Sequence, residues 1–207
     1  MSSMTAKKVC IFDFGNVLIR FEPAHMTSVV VNNAADAALI APVVFDRLYW
    51  APLDDGTMTD DQVIAAIRTR LPARLHTAAE QVYRTWYRHL PEIEGMRALL
   101  AELKEKGREL YLLSNISIGF AEGYADVPAL ASLLALFDGL VFSGPLHLVK
   151  PDAAIFRHLL ETYHLHAEDC VFIDDSPINV QGARAVGIDA VLFNGDAQSL
   201  RATLIAN

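Results

Sequence analysis

Cysteine is scarce: Cys10 and Cys170 are the only two in 207 residues. Two cannot build the disulfide framework of a small secreted scaffold, and they are too few for a structural zinc site. Both lie in apolar runs, so each reads as a buried, reduced thiol. Basic residues are in deficit, with 17 Lys plus Arg against 25 Asp plus Glu, a net charge of −8. No basic run offsets that balance, so the electrostatic footprint of a nucleic-acid binder is missing. No uninterrupted apolar stretch reaches the roughly 18 residues of a membrane span. The longest, Ala129 to Phe142, is broken by Ser132 and Asp138. Lys7 and Lys8 precede an apolar run from Val9 to Ile19, but Asp13 interrupts it and no small-residue cleavage site follows, which argues against a signal peptide. Internal repeats, low-complexity segments and Gly/Ser-rich linkers are also absent. The expectation is a cytoplasmic protein that contacts neither nucleic acid nor membrane.

What is present is apolar and ordered. Hydrophobic residues make up 53% and charged residues 20%, which excludes a disordered chain. Short apolar runs at Val9–Phe14, Leu110–Leu113, Gly139–Phe142, Cys170–Ile173 and Ala190–Phe193 read as buried strands. Helical spacing lies between them. Met96, Leu99, Leu100 and Leu103 share one face, with Gly107 as a C-terminal stop, and Ile155, Phe156, Leu159, Leu160 and Tyr163 repeat the pattern. Ser176-Pro177 reads as an N-cap with proline at the first helical position, and Gly187 ends that helix. Strands alternating with helices predict an α/β fold, a doubly wound parallel sheet. Residues 21–89 break the alternation. Thr59–Gln62 and Thr77–Glu80 both match the capping-box pattern, so two helices are expected to start there. The expected division is an α/β core of residues 1–20 and 90–207 with a helical cap of residues 21–89.

In such sheets ligands bind beyond the carboxyl ends of the strands. The residues at those ends are Asp13-Phe14-Gly15-Asn16, Ser114-Asn115, Ser143-Gly144 with Lys150 beyond, and Asp174-Asp175-Ser176. Paired carboxylates beside a third suit a hard divalent cation, and magnesium prefers carboxylate, carbonyl, water and phosphate oxygens. A lysine and a hydroxyl add a positive charge and a donor for a phosphate. Asp13 is the candidate nucleophile, because a carboxylate can accept a phosphoryl group.

The four segments Ile11–Leu18, Leu112–Asn115, Val149–Asp152 and Phe172–Asn179 resemble, in order, the four motifs of the haloacid dehalogenase superfamily. The likeness spans nearly the whole chain, and residues 21–89 fall where that family carries its cap. The start Asp13-Phe14-Gly15-Asn16-Val17 and the overall length look most similar to the bacterial sugar-phosphate phosphatases, the alpha-glucose-1-phosphate phosphatases among them. The resemblance implies a Mg2+-dependent phosphatase of small phosphorylated metabolites acting through an aspartyl-phosphate, as monomer or homodimer. It implies Asp13 as nucleophile, with Asp13, the Gly15 carbonyl, Asp174 and Asp175 as metal ligands. Ser114, Asn115, Lys150 and Asn16 would hold the substrate, with Ser114 and Lys150 also serving catalysis. A dehalogenase, a phosphomutase and a binding module remain the alternatives.

One position departs from the pattern. Most phosphatases of the family carry a second aspartate two residues after the nucleophile, which protonates the leaving oxygen. Here that residue is Gly15. General acid–base help typically contributes about 10²–10⁴-fold, which leaves three expectations open: a preference for phosphates with good leaving groups such as anomeric sugar phosphates, a substitute in the cap with Glu22, His25 and His89 as candidates, or slow turnover. Arg20 and Arg47 read as solvated charges, either of which could reach an anionic substrate from the cap side, and Tyr49-Trp50 and Trp86-Tyr87 read as packing within the cap. The two crossings between core and cap, Ile19–Pro23 and His89–Glu94, are the expected hinges.

Overall fold

Apolar residues on both faces of every strand call for helices on both sides of the sheet. The computed structural model describes residues 4–205 and shows that arrangement. Five parallel strands, β1 (Val9–Phe12), β2 (Glu109–Ser114), β3 (Gly139–Phe142), β4 (Cys170–Asp174) and β5 (Asp189–Leu192), lie in the order β3-β2-β1-β4-β5. All five expected runs are strands, with edges differing by one or two residues. β1 ends at Phe12 instead of Phe14 because the chain folds back, Leu18 N and Ile19 N both donating to the Phe14 carbonyl. β5 starts at Asp189 and ends one residue earlier than expected.

Alternate strand residues enter two separate cores. Cys10, Phe12, Leu110, Leu112, Val171 and Ile173 face one cluster, while Val9, Ile11, Tyr111, Leu113, Cys170 and Phe172 face the other. Cys10 and Cys170 therefore sit on opposite faces, both buried and free, and burial pushes each thiol up to about 12.

Residues 21–89 contain α1 (Pro23–Val30), α2 (Ala34–Val44), α3 (Arg47–Asp54), α4 (Asp60–Arg70) and α5 (His76–Thr85), with no strand among the described residues. They surround a cluster of their own that includes Ile40, Val44, Leu53, Val63, Ile67 and Val82. α4 begins with the expected reciprocal cap, Thr59 with Gln62. The second expected cap does not form. α5 starts at His76 behind the short turn Ala73–Leu75, and Glu80 instead binds Arg68 and Arg84. The two crossings pair with each other: Arg20 N donates to Pro91 O at 2.8 Å and Ile93 N to Leu18 O at 2.9 Å.

The remaining helices cover the sheet. α6 (Met96–Glu105), α7 (Ile118–Gly123), α8 (Pro128–Leu134) and α12 (Ala197–Leu204) feed the first core, whereas α10 (Ala153–Thr162) and α11 (Pro177–Ala185) feed the second. The short α9 (Ser143–Leu146) follows β3 directly. Gly107 and Gly187, at φ +75° and +88°, stop α6 and α11 as their positions suggested. Pro177 opens α11, although the Ser176 hydroxyl makes no capping bond. No helix among the described residues is long and apolar enough to cross a membrane.

Candidate active site

The sheet order places β1 at the centre, with β2 and β4 on either side. The chain runs outward from β1 on one side, then returns to the other through β4, so a crevice opens at the carboxyl end of β1. The pairing Phe12↔Ile173 makes Asp13 and Asp174 neighbours, and Asp13 N extends the ladder to Ile173 O at 2.9 Å.

Lys150 enters between these carboxylates. Its Nζ lies 2.6 Å from Asp13 Oδ1 and 2.9 Å from Asp174 Oδ2, with the lysine 4% exposed. Burial opposes the ammonium charge, but the two carboxylates outweigh it and raise the Lys150 pKa. Asn115 fixes the lysine backbone from both sides: its Nδ2 donates to Lys150 O at 2.9 Å, and its Oδ1 accepts from Lys150 N at 2.8 Å. Asp174 is wholly buried, and also accepts from Ser176 N at 2.8 Å and from Asn179 Nδ2 at 3.1 Å on each oxygen. Burial pushes the Asp13 carboxyl up, to about 6, with Asp174 adding and Lys150 opposing.

Above this buried trio lies a cavity of about 290 Å³. Asp13, Gly15, Asn16, Ser114, Asn115 and Asp175 line it. Lys150 and Asp174 sit behind Asp13 and are not part of its wall. The Ser114 hydroxyl has one weak contact, 3.5 Å to Asn115 O, and so remains available to a ligand. Oxygens of Asp13, Asp174 and Asp175 all fall within 4.8 Å of one another, a spacing that suits one hard cation. Burial and the Asp174 charge raise the Asp175 pKa, while Asn16 pulls it down. Asn16 adopts φ +54° in the tight loop after β1, and its Oδ1 accepts from Phe21 N. A side chain at Gly15 would meet open space, so the glycine leaves room beside Asp13.

The cap side holds surprises. Phe21, Trp50 and Trp86 form an edge-to-face cluster with ring centroids 5.0–5.8 Å apart, and all three line the cavity. The tryptophans thus serve packing and the site together. Arg47 lines the cavity, whereas Arg20 lies outside it. Glu22, His25 and His89 are exposed and lie outside the cavity wall. The cap carboxylate that reaches the cavity is Asp54, at the end of α3. Asp54-Asp55-Gly56 signals only a turn in the sequence, and nothing local says that the turn meets Asp13.

The family profile of the haloacid dehalogenase-like hydrolases matches residues 7–187. The chain belongs to that family and is a hydrolase. Sesquiterpene phosphatase astK of Aspergillus oryzae is 26% identical over 184 residues, covering 89% of this chain and 88% of that protein. A dehalogenase crystal structure with an intermediate complex superposes with TM-score 0.74 at 17% identity, covering 100% of both chains. A family enzyme from Bacteroides thetaiotaomicron, crystallised with magnesium and inorganic phosphate, superposes with TM-score 0.67 at 20% identity, covering 94% of this chain and 98% of that one. Likeness at such identities establishes the shared fold alone.

Proposed function

We propose that this hydrolase is a magnesium-dependent phosphatase of small phosphorylated metabolites, acting through an aspartyl-phosphate on Asp13. The observation that carries the reading is Lys150 wedged between Asp13 and Asp174 beneath a cavity that also exposes Ser114 and Asp175. Asp13, Asp174 and Asp175, offset by Lys150, leave two negative charges when all are ionised. A dianionic phosphate would be repelled unless a divalent cation balanced them. The donor set fits magnesium, with the three carboxylates and the Gly15 carbonyl as its protein ligands. When bound, magnesium neutralises phosphate charge and steadies it in the transition state.

The chain's own groups supply the rest. Asp13 Oδ attacks phosphorus, and Lys150 keeps that carboxylate charged despite its burial. The Ser114 hydroxyl and the Asn115 amide bind phosphate oxygens at the end of β2. Residues 21–89 act as the cap that closes over the bound ester and excludes water. The phosphate-free part of the substrate lies against Phe21, Trp50 and Trp86, with Arg47 beside it. A sugar ring can stack on such aromatic faces, the reading that the likeness to sugar-phosphate phosphatases favours. The same apolar wall favours a second reading, an apolar leaving group such as that implied by the name of the Aspergillus phosphatase.

The test measures phosphate release from 4-nitrophenyl phosphate, glucose 1-phosphate and a short isoprenyl phosphate, with magnesium or with EDTA. Turnover should need the metal and disappear in Asp13→Asn. Full turnover by that variant would sink the reading. Halide release from a short haloacid in EDTA would replace it with a dehalogenase, and isomerisation of a phosphosugar without phosphate release with a mutase.

A further inference from the structure

An alkyl phosphate expels an alkoxide poorly without a proton, and among the described residues the core wall of this cavity offers no unassigned carboxyl or imidazole to supply one. Gly15 has no side chain, Lys150 is held by two carboxylates, and Asp174 is enclosed by Lys150, Asn179 and Ser176. Asp13 is the nucleophile, and Asp175 belongs to the cation. One carboxyl on the cavity wall remains unassigned. We propose that Asp54, carried by the cap, is the general acid and general base of this site. The inference rests on the phosphatase reading and extends it.

The geometry holds Asp54 in place. Its backbone carbonyl accepts from Ser143 Oγ at 2.5 Å, and that same hydroxyl accepts from Ile116 N at 2.8 Å, two residues beyond Ser114. The next carbonyl, Asp55 O, lies 2.9 Å from His147 Nδ1. Gly56 follows at φ +72°, so close to the core that a Cβ there would lie 2.3 Å from Gly144 O. The turn 54–56 is thus latched onto α9, and its side chain at Asp54 joins Asp13 in lining one cavity. Among the described residues, no side-chain hydrogen bond ties down the Asp54 carboxyl. Asp13 comes from the end of the central strand β1 and Asp54 from the end of α3, two separate elements that line one cavity. Burial, helped by the charges of Asp13 and Asp55 and opposed by Lys150, pushes the Asp54 pKa up to about 7. Arg47 and Asp175 share its cavity, and His147 packs on its turn. A carboxyl near 7 is poised to give and take a proton at neutral pH.

The proton balance closes. As Asp13 Oδ bonds to phosphorus, the bond from phosphorus to the leaving oxygen breaks and that oxygen takes the Asp54 proton, leaving as an alcohol. Water then attacks the aspartyl-phosphate. Asp54 removes its proton, the bond between Asp13 and phosphorus breaks, and phosphate leaves with both carboxyl groups restored.

The test compares wild type, Asp54→Asn and Asp54→Glu on an alkyl phosphate and on 4-nitrophenyl phosphate, with melting temperatures confirming folding. Asp54→Asn should lose about 10²–10⁴-fold on the alkyl ester. On the aryl ester, whose leaving group needs no proton, it should give a burst of nitrophenolate followed by slow turnover, because the second half-reaction lacks its base. Asp54→Glu should recover part of the alkyl activity. The fall in wild-type kcat/KM on the alkyl ester as pH rises past about 7 should flatten in Asp54→Asn. Alkyl turnover within about threefold of wild type overturns the assignment, being far below the usual acid–base contribution. Equal loss on both esters with no burst overturns it too. A wild type that releases phosphate from neither ester defeats the phosphatase reading itself, a distinct result.

Discussion

Lys150 shows how one residue sets both charge and shape. It is 4% exposed, and its removal strands two carboxylates that the fold has already taken out of water. Breaking a buried ion pair from one side typically costs about 3–5 kcal/mol, so Lys150→Met should lose stability on that scale in urea melts at pH 8 without metal. Asp54 gives the opposite sign. Its pKa rises from 3.8 to about 7 on folding, so its stabilising contribution is complete below 3.8 and lost as pH rises through about 7. Asp54→Asn, which cannot ionise, should therefore melt higher than wild type above pH 7, with the gap closing towards pH 4. A gap independent of pH would show that Asp54 titrates normally. At this scale the sequence displayed Asp13, Ser114 and the Asp174-Asp175 pair, because each sits at the end of a strand whose apolar run is self-evident, and Lys150 in the loop beyond β3. Asp54 was invisible, since Asp13, Lys150 and Ser143, which make its surroundings, are each more than 30 residues away in the chain.

Among the elements, the turn between α3 and α4 decides where the cap meets the core. Gly56 is required twice, for its φ of +72° and for its approach to Gly144 O. Gly56→Ala should cost more than about 1 kcal/mol and should depress alkyl-ester turnover by displacing Asp54. Urea melts and kinetics on one preparation would check both, and an unchanged turnover would show that the latch does not position the site. The neighbouring cap at Thr59 was legible because both its partners lie within one turn. The look-alike at Thr77–Glu80 failed because Arg68, on another helix, and Arg84 claim Glu80. A local pattern holds only where no tertiary partner competes for the same oxygen.

Across the whole molecule, cap and core share an aromatic seam instead of a clean boundary. Met26 and Trp86 join the core cluster of the sheet, while Trp50 packs against both that cluster and the cap's own. The chain has two tryptophans, and both line the cavity. Intrinsic fluorescence should therefore shift when magnesium and a phosphate analogue such as orthovanadate bind together, and Asp13→Asn should weaken the effect of the pair. Spectra that stay unchanged on confirmed binding would place the ligand away from the seam. Magnesium at 100 times its dissociation constant should also raise stability by about 2.7 kcal/mol, reversibly with EDTA. The strands, the helical interruption and the acidic groups at the strand ends were legible in the residues alone, because hydrophobic period and strand-end chemistry are local. Which cap residues line the cavity with Asp13 depended on contacts far apart in the chain. Ser143, His147 and Gly144 meet the turn at Asp54 across about 90 residues of chain, and a contact of that separation leaves no periodic trace in the residues that make it.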